Sequence, residues 1–132
     1  MILLDTHAVL WLRAGDTRLG PSARAEIQAA WAADDLALSA ISFWEMAMLR
    51  EQGRINYPDD LGLWRREQLM QGLVEIPVDG EIGIRASGLP DFHADPADRI
   101  IVATALGGHR LVTADERILA WSGELSRLDA RA

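Results

Sequence analysis

Short apolar runs and longer amphipathic segments alternate along the chain, and this pattern predicts strands and helices in turn. The first apolar run, residues 1–4, ends abruptly at Asp5 and Thr6. An unbroken apolar run bounded by polar residues is typical of a strand buried on both faces of a parallel sheet. The shorter runs at residues 36–39 and 110–113 are interpreted as further strands.

Between these runs, apolar residues recur at helical spacing. The pattern predicts helices that begin near residues 6, 21, 42, 59, 79, 95 and 115. Ser42 and Glu45 have the form of a capping box, which places Glu45 in the first turn of its helix. Asp95 and Asp98 flank Pro96 in a pattern that specifies the start of a helix, and the apolar residues that follow predict that this helix is buried.

The remaining segments complete a sheet. Residues 74–78 alternate and contain Pro77, which favours an edge strand, and residues 125–128 can add a last strand. The alternation of strands and helices predicts an α/β sandwich with a central, mainly parallel sheet of four or five strands flanked by helices. A length of 132 residues fits a single domain over residues 1–132.

Composition narrows the possible functions. No apolar run approaches the roughly 18–20 residues of a membrane span, and the N-terminus lacks the pattern of a signal peptide, so we expect a cytoplasmic protein. Because the chain has no cysteine, any metal site must use oxygen or nitrogen ligands. The net charge of −7 argues against a nucleic-acid partner unless divalent cations offset part of it locally.

Four acids occupy equivalent places in the predicted fold. Asp5 and Asp115 follow strand ends, whereas Glu45 and Asp98 lie at helix starts. Each could simply cap a helix. All four, however, fall at the same edge of a parallel sheet, where a cluster of like charges would be destabilising without a cation.

An all-oxygen cluster of this kind favours Mg²⁺ or Mn²⁺ over zinc. Two such ions about 3.5–4 Å apart can activate a water and hold a scissile phosphate, so that phosphodiester hydrolysis needs no covalent nucleophile. The chain agrees with this chemistry, because it has no Ser-His-Asp pattern, no glycine-rich phosphate loop and no lysine.

Five short motifs carry a resemblance to a known family. They are ILLDTH at residues 2–7, SFWEMA at 42–47, GRI at 53–55, HADPADR at 93–99 and TAD at 113–115. In this order they resemble the motifs of the PIN-domain ribonucleases, specifically the VapC toxins of bacterial type II toxin–antitoxin modules. The resemblance implies a PIN-like fold, Mg²⁺- or Mn²⁺-dependent endonucleolytic cleavage of RNA, a homodimer and inhibition by a cognate VapB-like antitoxin.

The resemblance also implies roles for individual residues. The catalytic acids and metal ligands would be Asp5, Glu45, Asp98 and Asp115, with Asp5 and Asp98 the surest direct ligands. Thr6, Asp95 and Thr113 would support them or be structural.

Other residues near these motifs have open roles. His7 and His93 would contact phosphate or be plain polar residues, and we favour the second. Arg99 would clamp a phosphate or neutralise the acids. The tryptophans at positions 11, 31, 44 and 64 lie at core-like helical positions, which predicts packing, with one or two of them as an alternative lining for an antitoxin groove.

Two other functions stay open at this point. A non-catalytic module could use the acidic crevice to bind a basic peptide. A phosphatase of the haloacid-dehalogenase type also begins with a strand that ends in Asp, but it requires a second Asp where this chain has His7.

Overall fold

The computed structural model describes all 132 residues as five strands and seven helices. In chain order they are β1 (Ile2–Leu4), α1 (Thr6–Ala14), α2 (Pro21–Ala32), β2 (Leu36–Ser39), α3 (Ile41–Glu51), α4 (Leu61–Met70), β3 (Val74–Ile76), α5 (Gly80–Ser87), α6 (Pro96–Ala105), β4 (Arg110–Thr113), α7 (Glu116–Leu119) and β5 (Arg127–Asp129).

The strands form one sheet in the order β3-β2-β1-β4-β5, and every neighbouring pair is parallel. Strand β1 lies at the centre, where Leu3 pairs with Ala37 on one side and Leu111 on the other. The predicted α/β sandwich is therefore confirmed, with the strand that contains Glu75 at an edge as expected. Parallel pairing aligns the carboxyl ends of all five strands along one side of the molecule.

The two faces of the sheet are covered by different helices. Leu4 of β1 packs with residues of α1 to α4, among them Val9 and Ile27. Leu3, one residue earlier, points to the other face and packs with residues of α6 and α7, among them Ile101. Both leucines have no solvent-exposed area, which explains why β1 is apolar at every position rather than alternating.

Helix ends mostly follow the sequence signals. Asp5 caps α1, and Gly15 closes that helix in the left-handed conformation with φ of 66°. Asp95 caps α6, and Pro96 occupies its first position. The final strand lies at Arg127–Asp129, two residues later than its predicted start at residue 125.

Two local predictions were wrong. Helix α3 begins at Ile41, so Ser42 is inside the helix and Glu45 lies in its second turn. The Ser42 hydroxyl contacts Thr6 Oγ1 at 2.9 Å instead of capping the helix. Packing was the first expectation for Trp44, but its side chain is 48% exposed, whereas Trp64 on α4 is 5% exposed; a lining role for Trp44 in an antitoxin groove stays a prediction. No helix of the fold combines the length and the apolar character that crossing a bilayer requires.

Candidate active site

The four predicted acids come together at the carboxyl edge of the sheet. They line one cleft of about 510 Å³. The same cleft is lined by Asp95, His7 and Trp11 and by three arginines, Arg18, Arg54 and Arg117. A second cavity, of about 500 Å³, lies at the opposite ends of the strands, where β1 and β4 begin. It is lined by Met1, His109 and Arg110 but by none of the predicted site residues. The chemistry implied by the sequence is thus concentrated in the first cleft.

Asp5 is the most firmly held of the acids. It follows β1 and is 2% exposed. One carboxylate oxygen accepts a hydrogen bond from the Thr6 backbone N–H at 2.8 Å, and the other accepts from Thr113 Oγ1 at 2.7 Å. Two short hydrogen bonds at a buried position leave this carboxylate a single orientation, which is what a metal ligand requires.

Asp98 reaches the same cleft from the start of α6. Asp95 Oδ1 accepts a hydrogen bond from the Asp98 backbone N–H at 3.0 Å, which fixes the first turn. The Asp98 side chain is itself buried, and His93 Nε2 lies 2.6 Å from Asp98 Oδ2. Burial raises the pKa of Asp98 to about 6, the hydrogen bond from His93 opposes that rise, and the charge of Asp5 adds to it.

Glu45 approaches from α3, on the other side of the cleft. Burial raises the pKa of Glu45 to about 7, and the negative charges of Asp5 and Asp98 contribute further. At neutral pH this carboxyl group therefore lies close to the midpoint of its titration. Such a group can take up or release a proton at small energetic cost.

The pKa of Asp115 is lowered, in contrast to those of Glu45 and Asp98. It caps α7, and its Oδ1 accepts hydrogen bonds from the backbone N–H groups of Arg117 and Ile118 at 2.8 and 3.2 Å. Burial by itself would raise the pKa of Asp115, but the hydrogen bonds from the Arg117 side chain and from these backbone groups outweigh it and hold the pKa below its ordinary value. The capping role and the site position predicted for this residue coexist.

The donor groups suit a hard divalent cation. One ligand atom from each of Glu45, Asp95 and Asp98 can be chosen so that all lie within 4.8 Å of one another, and the same holds for His93, Asp98 and Asp115. Two of these carboxyl groups, Glu45 and Asp98, have pKa values raised by burial and mutual repulsion. A bound cation would relieve that repulsion, and oxygen donors of this number match the preferences of Mg²⁺ and Mn²⁺.

His93 and Arg99 make contacts that the sequence did not predict. His93 was interpreted as a plain polar residue, but it contacts Asp98 directly. Arg99 was expected to clamp a phosphate or neutralise the acids, yet its guanidinium donates to the backbone carbonyls of Ala86, Phe92 and His93 at 2.7–2.9 Å. Phe92 and His93 belong to the loop before α6 and Ala86 belongs to α5, so Arg99 ties the loop that carries His93 to the preceding helix.

His7 joins two strand ends beside the acids. Its Nε2 accepts a hydrogen bond from the Ala114 backbone N–H at 2.8 Å, and its Nδ1 lies 3.8 Å from Asp5 Oδ2. The ring packs against Trp11 at a centroid distance of 5.1 Å. His7 therefore links the end of β4 to the start of α1 on the rim of the cleft.

Arg117 is a site residue that the sequence analysis missed. Its Nη2 lies 3.5 Å from Asp98 Oδ2 and 3.3 Å from Asp115 Oδ2. The only sequence signal was its place two residues after a capping acid, which puts a basic side chain in the first turn of the helix. Arg18 and Arg54 also line the cleft and were not singled out.

Similar proteins of known family identify the family and the fold of this chain. Residues 2–122 match the family model of the PIN domain. The chain is 40% identical over 119 residues to Ribonuclease VapC22 of Mycobacterium tuberculosis (strain ATCC 25618 / H37Rv), a match that covers 89% of this chain and 88% of the relative. Its fold is similar to that of a chain from a toxin–antitoxin complex of Klebsiella pneumoniae, with a TM-score of 0.63 and 20% identity over 98% of each chain. The chain therefore belongs to the PIN-domain family, and within it to the VapC-like members.

Proposed function

We propose that residues 1–132 form one nuclease domain, a metal-dependent endoribonuclease that acts in the cytoplasm as the toxin of a type II toxin–antitoxin module. The observation that carries this proposal is the convergence of Asp5, Glu45, Asp98 and Asp115 on one cleft. Buried carboxylates with raised pKa values are typical of functional sites. The similarity to a VapC ribonuclease supports RNA as the substrate.

In this proposal Asp5 and Asp98 are direct ligands of Mg²⁺ or Mn²⁺, and Glu45 and Asp115 complete the catalytic set. When bound, the cation would activate a water for attack on the scissile phosphate and offset the developing charge. Other residues of the chain hold these ligands in position. Thr113 and the Thr6 N–H hold the Asp5 carboxylate in place, while His93 orients Asp98.

Glu45 would act as the general base for the reacting water. In the metal-free chain burial and the charges of Asp5 and Asp98 raise its pKa to about 7, and as a carboxylate in the cleft it would accept the proton that the water releases. The attack of water leaves a 5′-phosphate on one fragment and a 3′-hydroxyl on the other. This outcome differs from that of cleavage by the RNA 2′-hydroxyl, which leaves a cyclic phosphate.

The direct test is cleavage of total bacterial RNA by the purified chain. We expect cleavage with Mg²⁺ or Mn²⁺, none in EDTA, and a loss of at least roughly 100-fold in the Asp5→Asn variant because a ligand oxygen is replaced by an amide. Asp34→Asn, which changes an exposed acid outside the cleft, is the matched control and should keep full activity. Full activity of Asp5→Asn would refute the proposal.

Sequencing of the RNA ends identifies the chemistry and the target. Ends that carry 5′-phosphate should accumulate at one site in one class of RNA when the wild-type chain is induced in a bacterial host. The same induction should arrest growth, and Asp5→Asn should do neither. Cyclic-phosphate ends would argue against attack by water.

The toxin role further requires a partner and an assembly. We propose a VapB-like antitoxin encoded beside this chain as the tight inhibitory partner, and a homodimer as the assembled form. The structurally similar chain comes from a toxin–antitoxin complex, which motivates this proposal. Co-expression of the neighbouring gene should rescue growth and suppress RNA cleavage, and analytical ultracentrifugation of the purified chain should give twice its mass of 14.5 kDa.

A further inference from the structure

The guanidinium of Arg117 lies among the acids of the cleft. Its Nη2 is 3.5 Å from Asp98 Oδ2 and 3.3 Å from Asp115 Oδ2. The Arg117 side chain is 60% exposed, so packing does not hold it there. The attraction of the two carboxylates, together with the position of Arg117 in the turn that Asp115 caps, accounts for its location.

The potential metal ligands form two groups that share Asp98. One group is Glu45, Asp95 and Asp98, and the other is His93, Asp98 and Asp115. Arg117 contacts both acids of the second group. In the first group, neither Glu45 nor Asp95 has a basic side chain within 4.0 Å.

The two halves of the site therefore differ in charge. Neither Glu45 nor Asp95 is paired with a basic side chain, so the electrostatic attraction for a divalent cation is strongest in that half. In the half with Asp115, a guanidinium already supplies a positive charge and donates N–H groups to the oxygens that a metal would need. A second divalent cation would have to displace Arg117 and would also be repelled by it.

We propose that Arg117 supplies the second positive charge of the site, so that each chain binds one divalent cation on the side of Asp98 where Asp5, Glu45 and Asp95 lie, while the guanidinium occupies the place of a second. This inference rests on the proposed metal-dependent function and specifies its stoichiometry. Arg117 would then serve the reaction as a positive charge beside the bound phosphate, to which its free N–H groups can donate.

Two other arginines of the cleft serve as comparisons. Arg18 forms an ion pair with Asp16, outside the cluster, at 2.7 Å. Arg54 lines the cleft and has no carboxylate within 4.0 Å. A variant at Arg54 therefore removes one positive charge from the same cleft without freeing either acid of the second group.

The test is the stoichiometry of Mn²⁺ binding at fixed pH, measured by isothermal titration calorimetry and by the electron paramagnetic resonance of the bound ion. The wild-type chain should bind one Mn²⁺. Arg117→Gln should bind two, with the spin coupling of a Mn²⁺ pair, and its first ion should bind roughly two- to fivefold more tightly because an exposed ion-pair competitor is gone. Arg117→Lys and Arg54→Gln should each bind one.

The outcomes separate this inference from the function on which it rests. Two Mn²⁺ ions in the wild type, or one in Arg117→Gln, would overturn the role of Arg117 and leave the metal-dependent nuclease intact. No Mn²⁺ binding by the wild type would instead overturn the proposed function, and this inference with it. Thermal melts of each variant establish that the substitutions, all at exposed positions, leave the fold unchanged.

Discussion

Thr113 Oγ1 donates a 2.7 Å hydrogen bond to Asp5 Oδ2 between residues 108 positions apart in the chain. The same hydroxyl accepts from the Asp115 backbone N–H at 3.0 Å. Because β1 and β4 are parallel neighbours, one threonine side chain ties the first acid of the site to the last. The relative position of two acids thus depends on a hydroxyl that has no charge and no contact with solvent.

Replacement of Thr113 by Val should therefore impair the site. The side chains have the same shape, but Val leaves a buried oxygen of Asp5 without its partner and frees the carboxylate to rotate. We expect Mn²⁺ affinity and RNA cleavage to fall about 10- to 100-fold, as is typical when a group that orients a metal ligand is lost. Calorimetry and cleavage rates measure both. Thr113→Ser, which keeps the hydroxyl, should stay within a few-fold of wild type, and equal losses in Val and Ser would show that packing matters instead.

His93 should set the pH at which the site takes up metal. Its hydrogen bond at 2.6 Å lowers the pKa of Asp98 and opposes the rise caused by burial. Removal of this bond in His93→Gln should raise the pKa of Asp98 further, so that more of the carboxyl is protonated near neutrality and Mn²⁺ binding shifts to higher pH. Calorimetric titrations from pH 5.5 to 8.5 give the profile. His109→Gln, at the opposite edge of the sheet, should leave it unchanged, and an unshifted profile for His93→Gln would count against this role.

Arg99 should contribute to stability through backbone contacts. Its guanidinium donates to the carbonyl of Ala86 in α5 and to those of Phe92 and His93 in the loop that precedes α6. Arg99→Met keeps most of the apolar stem but leaves these partly buried acceptors without a donor, so the free energy of unfolding should fall by about 2–4 kcal/mol. Urea denaturation measures the change. Arg66→Met, at an exposed position of α4, should cost less than about 0.5 kcal/mol. A similarly small cost for Arg99→Met would mean that water replaces the guanidinium.

The sequence predicted those parts of the site that depend on local signals. Asp5 follows an apolar run, and Asp95 and Pro96 mark a helix start, so the edge where these residues lie follows from the parallel arrangement of the strands. The misassigned start of α3 has a tertiary cause. A Ser and a Glu three residues apart can occur inside a helix as well as at its start, so the spacing alone does not locate the helix start. The Ser42 hydroxyl finds its partner in Thr6, 36 residues away.

Side-chain partners across elements were not accessible in the same way. Nothing in the local pattern shows that Arg99 turns toward the carbonyls of a preceding loop while Arg117 turns toward the acids. Both are single arginines near an acidic motif, and only the folded chain decides which of them faces the cleft. The pKa values of the acids also depend on burial, which spacing alone does not give.

The acids should make the metal-free protein less stable as pH rises. The pKa values of Glu45 and Asp98 in the folded state, about 7 and about 6, lie above those of the unfolded chain. Between about pH 4 and pH 7 the folded state therefore binds more protons, so the free energy of unfolding decreases with increasing pH. Asp115, whose pKa is lowered, acts in the opposite sense only in more acidic solution. Thermal melts in EDTA should show a lower midpoint at pH 7.5 than at pH 5.5, and Mn²⁺ should restore it at pH 7.5 because it binds the ionised carboxylates.

Two variants separate the cluster from the overall charge. Glu45→Gln should flatten the dependence of the melting midpoint on pH, whereas Glu51→Gln, on the same helix but exposed, should not. Equal slopes in both variants would assign the effect to the net charge of −7 instead.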